Sequence, residues 1–210
     1  MTTRLAEFLK GTLYALILFL LFLAVKGLFR LRVKGQRRVD RKGSYILVAR
    51  HRSYWDIPFV AVALGWRNRI HFIARQSLRK NPVFKPLLRL YTTTIDREHF
   101  TRRDFRRTLA SIRRERLIGI FPEGTTKRRV DAKSGAVHFA RLTGKPFLPI
   151  NIRAKGPYPP SYPFRFPRVT VSIGEALSLA ELEAGLDHQG AGAKRNLLLS
   201  QQLMERVDAA

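Results

Sequence analysis

His51 and Asp56, five residues apart in the stretch "HRSYWD", form a pair able to move a proton. On a regular helix the two would lie about 140° apart and would not meet. With the histidine in a loop and the aspartate in the first turn of the next helix, the carboxylate can turn back onto the ring. It would then take the proton of one imidazole nitrogen and leave the other as a base. Such a dyad deprotonates a hydroxyl at neutral pH. Ser53, between them, is a possible nucleophile, but no strained glycine elbow surrounds it. A plainer reading competes. Ser53 and Asp56 have the spacing of a capping box, or Asp56 itself caps a helix with Pro58 in its first turn.

Two further stretches carry chemistry. In "IFPEGTT", Glu123 follows an apolar run, Gly124 permits close backbone approach, and Thr125 adds a hydroxyl. The alternative is a surface ion pair with the basic cluster that follows. In "TTTIDRE", Arg97 comes just after another apolar run, and its planar guanidinium suits a bidentate contact to an oxyanion. A base, a carboxylate and a guanidinium together suit an anionic substrate bearing a hydroxyl.

The elements that must position these residues alternate. Short apolar runs read as strands over Tyr45–Ala49, Ile70–Ala74, Thr92–Ile95, Leu117–Phe121, Phe147–Ile152 and Val169–Ile173. Helical patterns separate them at Ile57–Leu64, Val83–Leu90, Phe100–Arg116 and Gly135–Thr143. This alternation predicts an α/β domain, with a mostly parallel central sheet flanked by helices. His51, Arg97 and Glu123 then all sit just beyond strand carboxyl ends, where open α/β sheets bind ligands. The stretch Lys155–Arg168 holds five of the eleven prolines and is expected to be a loop. Its Tyr158, Tyr162, Phe164 and Phe166 fit a substrate groove, a bilayer contact or ordinary packing. No chemistry is expected from Gly174–Ala210.

The chain begins differently. No charge falls between Lys10 and Lys26, a stretch rich in Leu and Phe. Its fifteen-residue apolar core would measure roughly 22 Å as a helix, short of the ~30 Å hydrocarbon core. A signal peptide, a buried soluble helix and a membrane anchor compete as readings. The flank favours the anchor: Lys26, Arg30, Arg32, Lys34, Arg37, Arg38, Arg41 and Lys42 follow, opposed only by Asp40. Such a basic run pairs with anionic lipid. The expected organisation is a hydrophobic N-terminal membrane-anchor helix over 1–30, a basic linker over 31–43 and a catalytic domain over 44–210. If the helix spans, the positive-inside rule puts the rest of the chain in the cytoplasm.

The 210 residues carry 40 Lys+Arg against 15 Asp+Glu, a formal net charge of +25. Such a surface seeks polyanions: anionic lipid, nucleic acid or an acidic protein. The apolar anchor weighs against a nucleic-acid partner, for which it has no use. Without cysteine the chain has no disulfide, thiolate metal site or cysteine nucleophile.

The order "HRSYWD", "TIDR", "FPEGT", "PFLPINI" resembles the four blocks of the glycerolipid acyltransferases, and within them the bacterial 1-acylglycerol-3-phosphate acyltransferases. The resemblance covers roughly residues 51–151, with "FPEGT" its most specific element. It implies transfer of a fatty acyl group to the sn-2 hydroxyl of lysophosphatidic acid, giving phosphatidic acid at the cytoplasmic face of the inner membrane. The implied donor is acyl-CoA or acyl carrier protein, with no metal and no covalent acyl-enzyme. It casts His51 as general base, Asp56 as its orienter and Arg97 as phosphate binder. Glu123, Gly124 and Thr125 resemble the block holding the acceptor, and Pro149 the proline of the acyl-binding block. Three positions depart from the pattern. Arg50 replaces a frequent asparagine. In "ARQSL", Arg75 replaces a frequent lysine while keeping its charge for phosphate, and Ser77 replaces a glutamate. Glycerol 3-phosphate or a lyso-aminolipid is the nearest alternative acceptor. A non-enzymatic basic membrane or nucleic-acid binding module is the alternative outside catalysis.

Overall fold

The computed structural model describes residues 2–76, 78, 85–96, 99–123, 133–161, 165–186 and 192–210. Seven strands form one sheet: β1 (Arg32–Lys34), β2 (Tyr45–Ala49), β3 (Ile70–Arg75), β4 (Thr92–Ile95), β5 (Leu117–Ile120), β6 (Phe147–Lys155) and β7 (Arg168–Ile173). Their spatial order is β1-β7-β6-β2-β5-β3-β4. Every neighbouring pair is parallel except β6 and β7. The expected mostly parallel α/β architecture is therefore the observed one. Burial follows the sequence pattern. β2, at the centre, is buried at all five positions and is an unbroken apolar run. β7, near the edge, alternates inward and outward side chains.

The helices are α1 (Thr2–Phe29), α2 (Asp56–Leu64), α3 (Lys85–Tyr91), α4 (Arg102–Arg114), α5 (Gly135–Thr143), α6 (Leu179–Ala184) and α7 (Gly192–Ala209). Two apolar clusters sandwich the sheet. One gathers α1 and α2 against Leu47, Phe72, Phe121, Ile150, Val169 and Val171. The other gathers α4 to α7 against Ile46, Val48, Ile118 and Phe147. Helix α4 starts at a reciprocal capping box between Thr101 and Asp104 and turns Ile112 inward. The tail, read as polar, supplies Leu199, Leu203, Met204 and Val207 to the second cluster.

Helix α1 is no detached anchor. Tyr14, Leu18, Val25 and Phe29 recur at helical spacing and are buried against the domain. Glu7 bonds Arg69 at 2.9 Å, and the Tyr91 hydroxyl donates to the Lys10 carbonyl at 2.7 Å. Phe29 packs edge-on against Phe59. Both ends are thus tied down, while Phe8, Leu9, Leu16, Phe19, Leu20 and Leu23 stay exposed. The stretch 31–43, expected as a linker, also belongs to the fold. It supplies β1, parallel to β7, and buries Leu31 and Val39. Charge density hid that alternation: Arg32 and Lys34 are outward neighbours of the buried Leu31 and the half-buried Val33.

His71 in β3 is buried, with Nε2 2.9 Å from Thr93 Oγ1, and Thr93 donates on to Ser111 Oγ at 2.7 Å. Burial pushes the imidazole down from 6.5 to about 4. The folded value lies below the unfolded one, so the neutral ring stabilises the fold above pH 6.5. That contribution is lost as pH falls from 6.5 through about 4. The urea midpoint should therefore drop between pH 7 and pH 5, by a stability difference on the order of 1–2 kcal/mol. In His71→Gln the same pH change should leave the midpoint nearly flat.

Candidate active site

Asp56 is the first residue of α2, and its side chain is wholly buried. It does not cap the helix by side-chain hydrogen bonding, as the plainer reading expected; Trp55 is the N-cap and no side-chain cap bond forms. The carboxylate instead folds back over the preceding loop. Oδ2 accepts the backbone N–H of Arg52 at 2.6 Å and of Ser53 at 2.7 Å. His51 Nδ1 stands 3.2 Å from the same oxygen. Oδ1 accepts the hydroxyl of Tyr158. Four donors fill the lone-pair directions of one carboxylate, which fixes the carboxylate and, through it, the ring. Burial, then the negative charge of Asp56, hold the Tyr158 hydroxyl well above its ordinary 10, so it remains a donor.

With Nδ1–H directed to Asp56, Nε2 is left as the acceptor. The His51 side chain keeps 15% exposure, so the ring is not sealed off from solvent. Its ring lies on Phe121, centroids 4.4 Å apart, and Phe121 is parallel to Phe72 within 3° at 6.1 Å. Gly119 makes this stack possible. A Cβ there would lie 2.3 Å from the Phe72 ring. Gly119→Val should push Phe72 aside, cost about 1–3 kcal/mol and loosen the His51 platform. Thermal unfolding and turnover measured on one preparation check it; unchanged turnover would mean that the stack does not hold the ring.

Glu123 is 7% exposed and engaged through both oxygens. Oε1 pairs with Arg50 at 2.5 Å, and Oε2 accepts the His51 backbone N–H at 3.1 Å. It therefore braces the loop that carries the histidine. Arg50 in turn makes a two-pronged pair with Asp208 near the end of α7, both contacts at 2.6 Å. Those bonds, that to Asp208 first, raise the guanidinium pKa further. The expectation of no chemistry after Ile173 is thus corrected for Asp208. No local spacing could have found it, since 158 positions separate the partners. Asp208→Ala should free Arg50, leave stability within about 1 kcal/mol because Asp208 is half exposed, and lower turnover severalfold. A normal rate would show Arg50 held by Glu123 alone.

Ser53 is buried and its hydroxyl accepts the Trp55 N–H at 3.3 Å, a structural role in the loop. The amides of the loop leading into α2 are largely engaged. Those of His51, Arg52, Ser53, Trp55 and Asp56 go to Glu123, Asp56, Asp56, Ser53 Oγ and the Ser53 carbonyl. Arg75 ends β3, exposed at the same edge of the sheet. Pro149 is buried inside β6, level with Val48, and its carbonyl accepts the Gly174 N–H at 2.9 Å. Arg97, Gly124, Thr125 and Ser77, like Tyr162 and Phe164 of the proline-rich loop, lie outside the described residues.

The family model "Acyltransferase" matches residues 30–153, more than half of the chain. The chain belongs to the acyltransferase family. The match spans the residues from Arg50 to Glu123 and runs into β6. Among curated relatives, the 1-acyl-sn-glycerol-3-phosphate acyltransferase of Bacillus subtilis (strain 168) is 24% identical over 152 residues, 71% of this chain and 75% of that protein. The enzyme of the same name from Streptococcus pneumoniae (strain ATCC BAA-255 / R6) is 26% identical over 142 residues, 67% of this chain and 52% of that protein. The crystal structure of the 1-acyl-sn-glycerophosphate (LPA) acyltransferase PlsC from Thermotoga maritima shares the fold. Its TM-score is 0.60 at 22% identity, covering 90% of this chain and 80% of that one. Tyr158 and Asp208, which complete the hydrogen bonding around this acyltransferase's His51 loop, lie beyond the matched segment.

Proposed function

We propose that the protein transfers a fatty acyl group from acyl-CoA or acyl carrier protein to the sn-2 hydroxyl of lysophosphatidic acid, giving phosphatidic acid. The observation that carries this reading is the His51–Asp56 dyad, buried on the aspartate side and open on the imidazole side. The names of the two curated relatives support the acceptor.

In this reading His51 Nε2 removes the proton of the acceptor hydroxyl as its oxygen attacks the thioester carbonyl. The alcohol is a weak acid, so proton removal and attack proceed together. The carbon–oxygen bond forms, a tetrahedral oxyanion collapses, and the imidazolium returns its proton to the departing thiolate. Asp56 orients the ring and stabilises its positive charge in between. Glu123 holds the backbone of His51 in place. Arg97 takes the acceptor phosphate, assisted by Arg75, which makes the attack effectively intramolecular. Gly124 and Thr125 complete the acceptor site, and Pro149 belongs to the acyl-binding region.

The exposed side of α1 enters the lipid. The helix is 28 residues long, about 42 Å, with a mean hydropathy of 2.3 over its most apolar window. Because both ends are tied to the domain, it lies in one leaflet alongside the catalytic unit at the cytoplasmic face of the inner membrane. Incubating purified protein with lysophosphatidic acid and either donor should yield phosphatidic acid. Acylation of glycerol 3-phosphate or a lyso-aminolipid in its place would overturn the acceptor assignment.

A further inference from the structure

A groove of about 540 Å³ opens where β1, β6 and β7 meet, lined by Arg30, Arg32, Arg153, Lys155, Arg168 and Thr170. Its cations are set by register. Arg32 and Arg153 flank Thr170 in one row across three strands, and Lys155 directly opposes Arg168 in the next. Like charges facing each other across a ladder are destabilising unless something neutralises them. With 15 acidic residues for 40 cations, only some cations, among them Arg50, Arg69, Arg107, Arg114 and Arg141, have carboxylate partners. Among the described residues no ion pair serves Arg30, Arg32, Lys155 or Arg168, and Arg153 donates to the Asp208 carbonyl at 3.0 Å. The row lacks an anion.

Alternation along the strands says from which side that anion comes. Val33, Ile152, Val169 and Val171 face the α1–α2 layer. Arg32, Arg153, Arg168 and Thr170 therefore point to the opposite face, away from the exposed apolar side of α1. A lipid headgroup below α1 is on the wrong side, so the occupant is water-soluble. The groove has the volume of a small-molecule cleft. It also lies near the base. Ala49, the last residue of β2, is level with Ile150, and Thr170 lies two strands over, so the backbones of the two places are roughly 10 Å apart, with the His51 ring itself on Phe121 at the α1–α2 face.

We propose that this groove binds the phosphates of coenzyme A, so that the donor reaches His51 from the face opposite α1. The proposal rests on the acyltransferase reading and names the donor of that site. Coenzyme A carries about four negative charges on its diphosphate and 3′-phosphate. Its pantetheine arm, comparable to at least four extended residues or ~13 Å, would pass round the carboxyl edge of the sheet to bring the thioester to the imidazole.

The test uses the full-length protein and an Arg32→Gln/Arg168→Gln double variant, with lysophosphatidic acid in detergent micelles. Donors are acyl-CoA and the same acyl group on pantetheine, which has no phosphate. For acyl-CoA the variant should raise KM about tenfold or more at unchanged kcat. With acyl-pantetheine the two proteins should be equally active. Adenosine 3′,5′-bisphosphate should bind the parent protein by calorimetry and not the variant. An unchanged KM for acyl-CoA overturns the proposal, as does an equal loss with both donors. So does a defect confined to acyl carrier protein thioesters or to sedimentation with phosphatidylglycerol vesicles. Bisphosphate binding lost in the variant, without acyl transfer by the parent protein, would keep the groove and remove the reaction. Acyl transfer with an unaffected variant would do the reverse.

Discussion

His51→Ala should lower kcat by ~10²–10⁴ and leave the protein folded. The size follows from what is removed. Without a base at Nε2, the acceptor alcohol must attack while protonated or lose its proton to water. The fold should survive because the ring is partly exposed and rests on one face of Phe121, with its other polar contact to Asp56. The backbone N–H of residue 51 still reaches Glu123 in the variant, so the loop keeps its brace. Turnover and a thermal melt on the same sample separate the outcomes. Full activity with a native melt would remove the imidazole from the chemistry. A collapsed melt would make it a structural residue.

The dyad was legible because its cause is local. A buried apolar strand, a short loop and a helix start bring residues 51 and 56 together without help from the rest of the chain. Strand limits were legible for the same reason: β2 and β4 are unbroken apolar or β-branched runs with turn residues after them. β1 was not, because three residues with two cations look like solvated linker until β7 is beside them. The position of Glu123 was legible and its contacts were not. Its place beyond β5 followed from the sequence, but its engagement by Arg50 and the His51 amide depends on how two loops cross. Tyr158 and Asp208 reach the site over 102 and 158 positions, and only the completed fold brings them there. A tyrosine in a proline-rich loop and an aspartate near the end of a helix carry no local mark of that.

The second large effect is expected of Asp56→Asn, which keeps the volume and removes the charge. Four donors converge on the carboxylate: the His51 ring, the Arg52 and Ser53 amides and the Tyr158 hydroxyl. An amide side chain offers one acceptor oxygen and two donor hydrogens. If its oxygen takes the Oδ2 position, the backbone bonds survive and the NH₂ meets the Tyr158 hydroxyl, which can rotate to accept. If it flips, two buried amides lose their acceptor, at about 1–3 kcal/mol each. The first orientation is therefore preferred, and moderate stability loss is expected. Activity should suffer much more. No negative charge then balances the imidazolium that forms during transfer, although the retained oxygen still accepts Nδ1–H and keeps Nε2 free. A fall in kcat of about 10²–10³ is expected from the lost charge, short of the loss where neutralising such a carboxylate also switches the tautomer. Tyr158→Phe discriminates between charge and scaffolding, because it removes one donor while leaving the charge intact. If both variants lost activity equally, the carboxylate would be acting as a loop clamp; if only Asp56→Asn did, its charge stabilises the protonated ring.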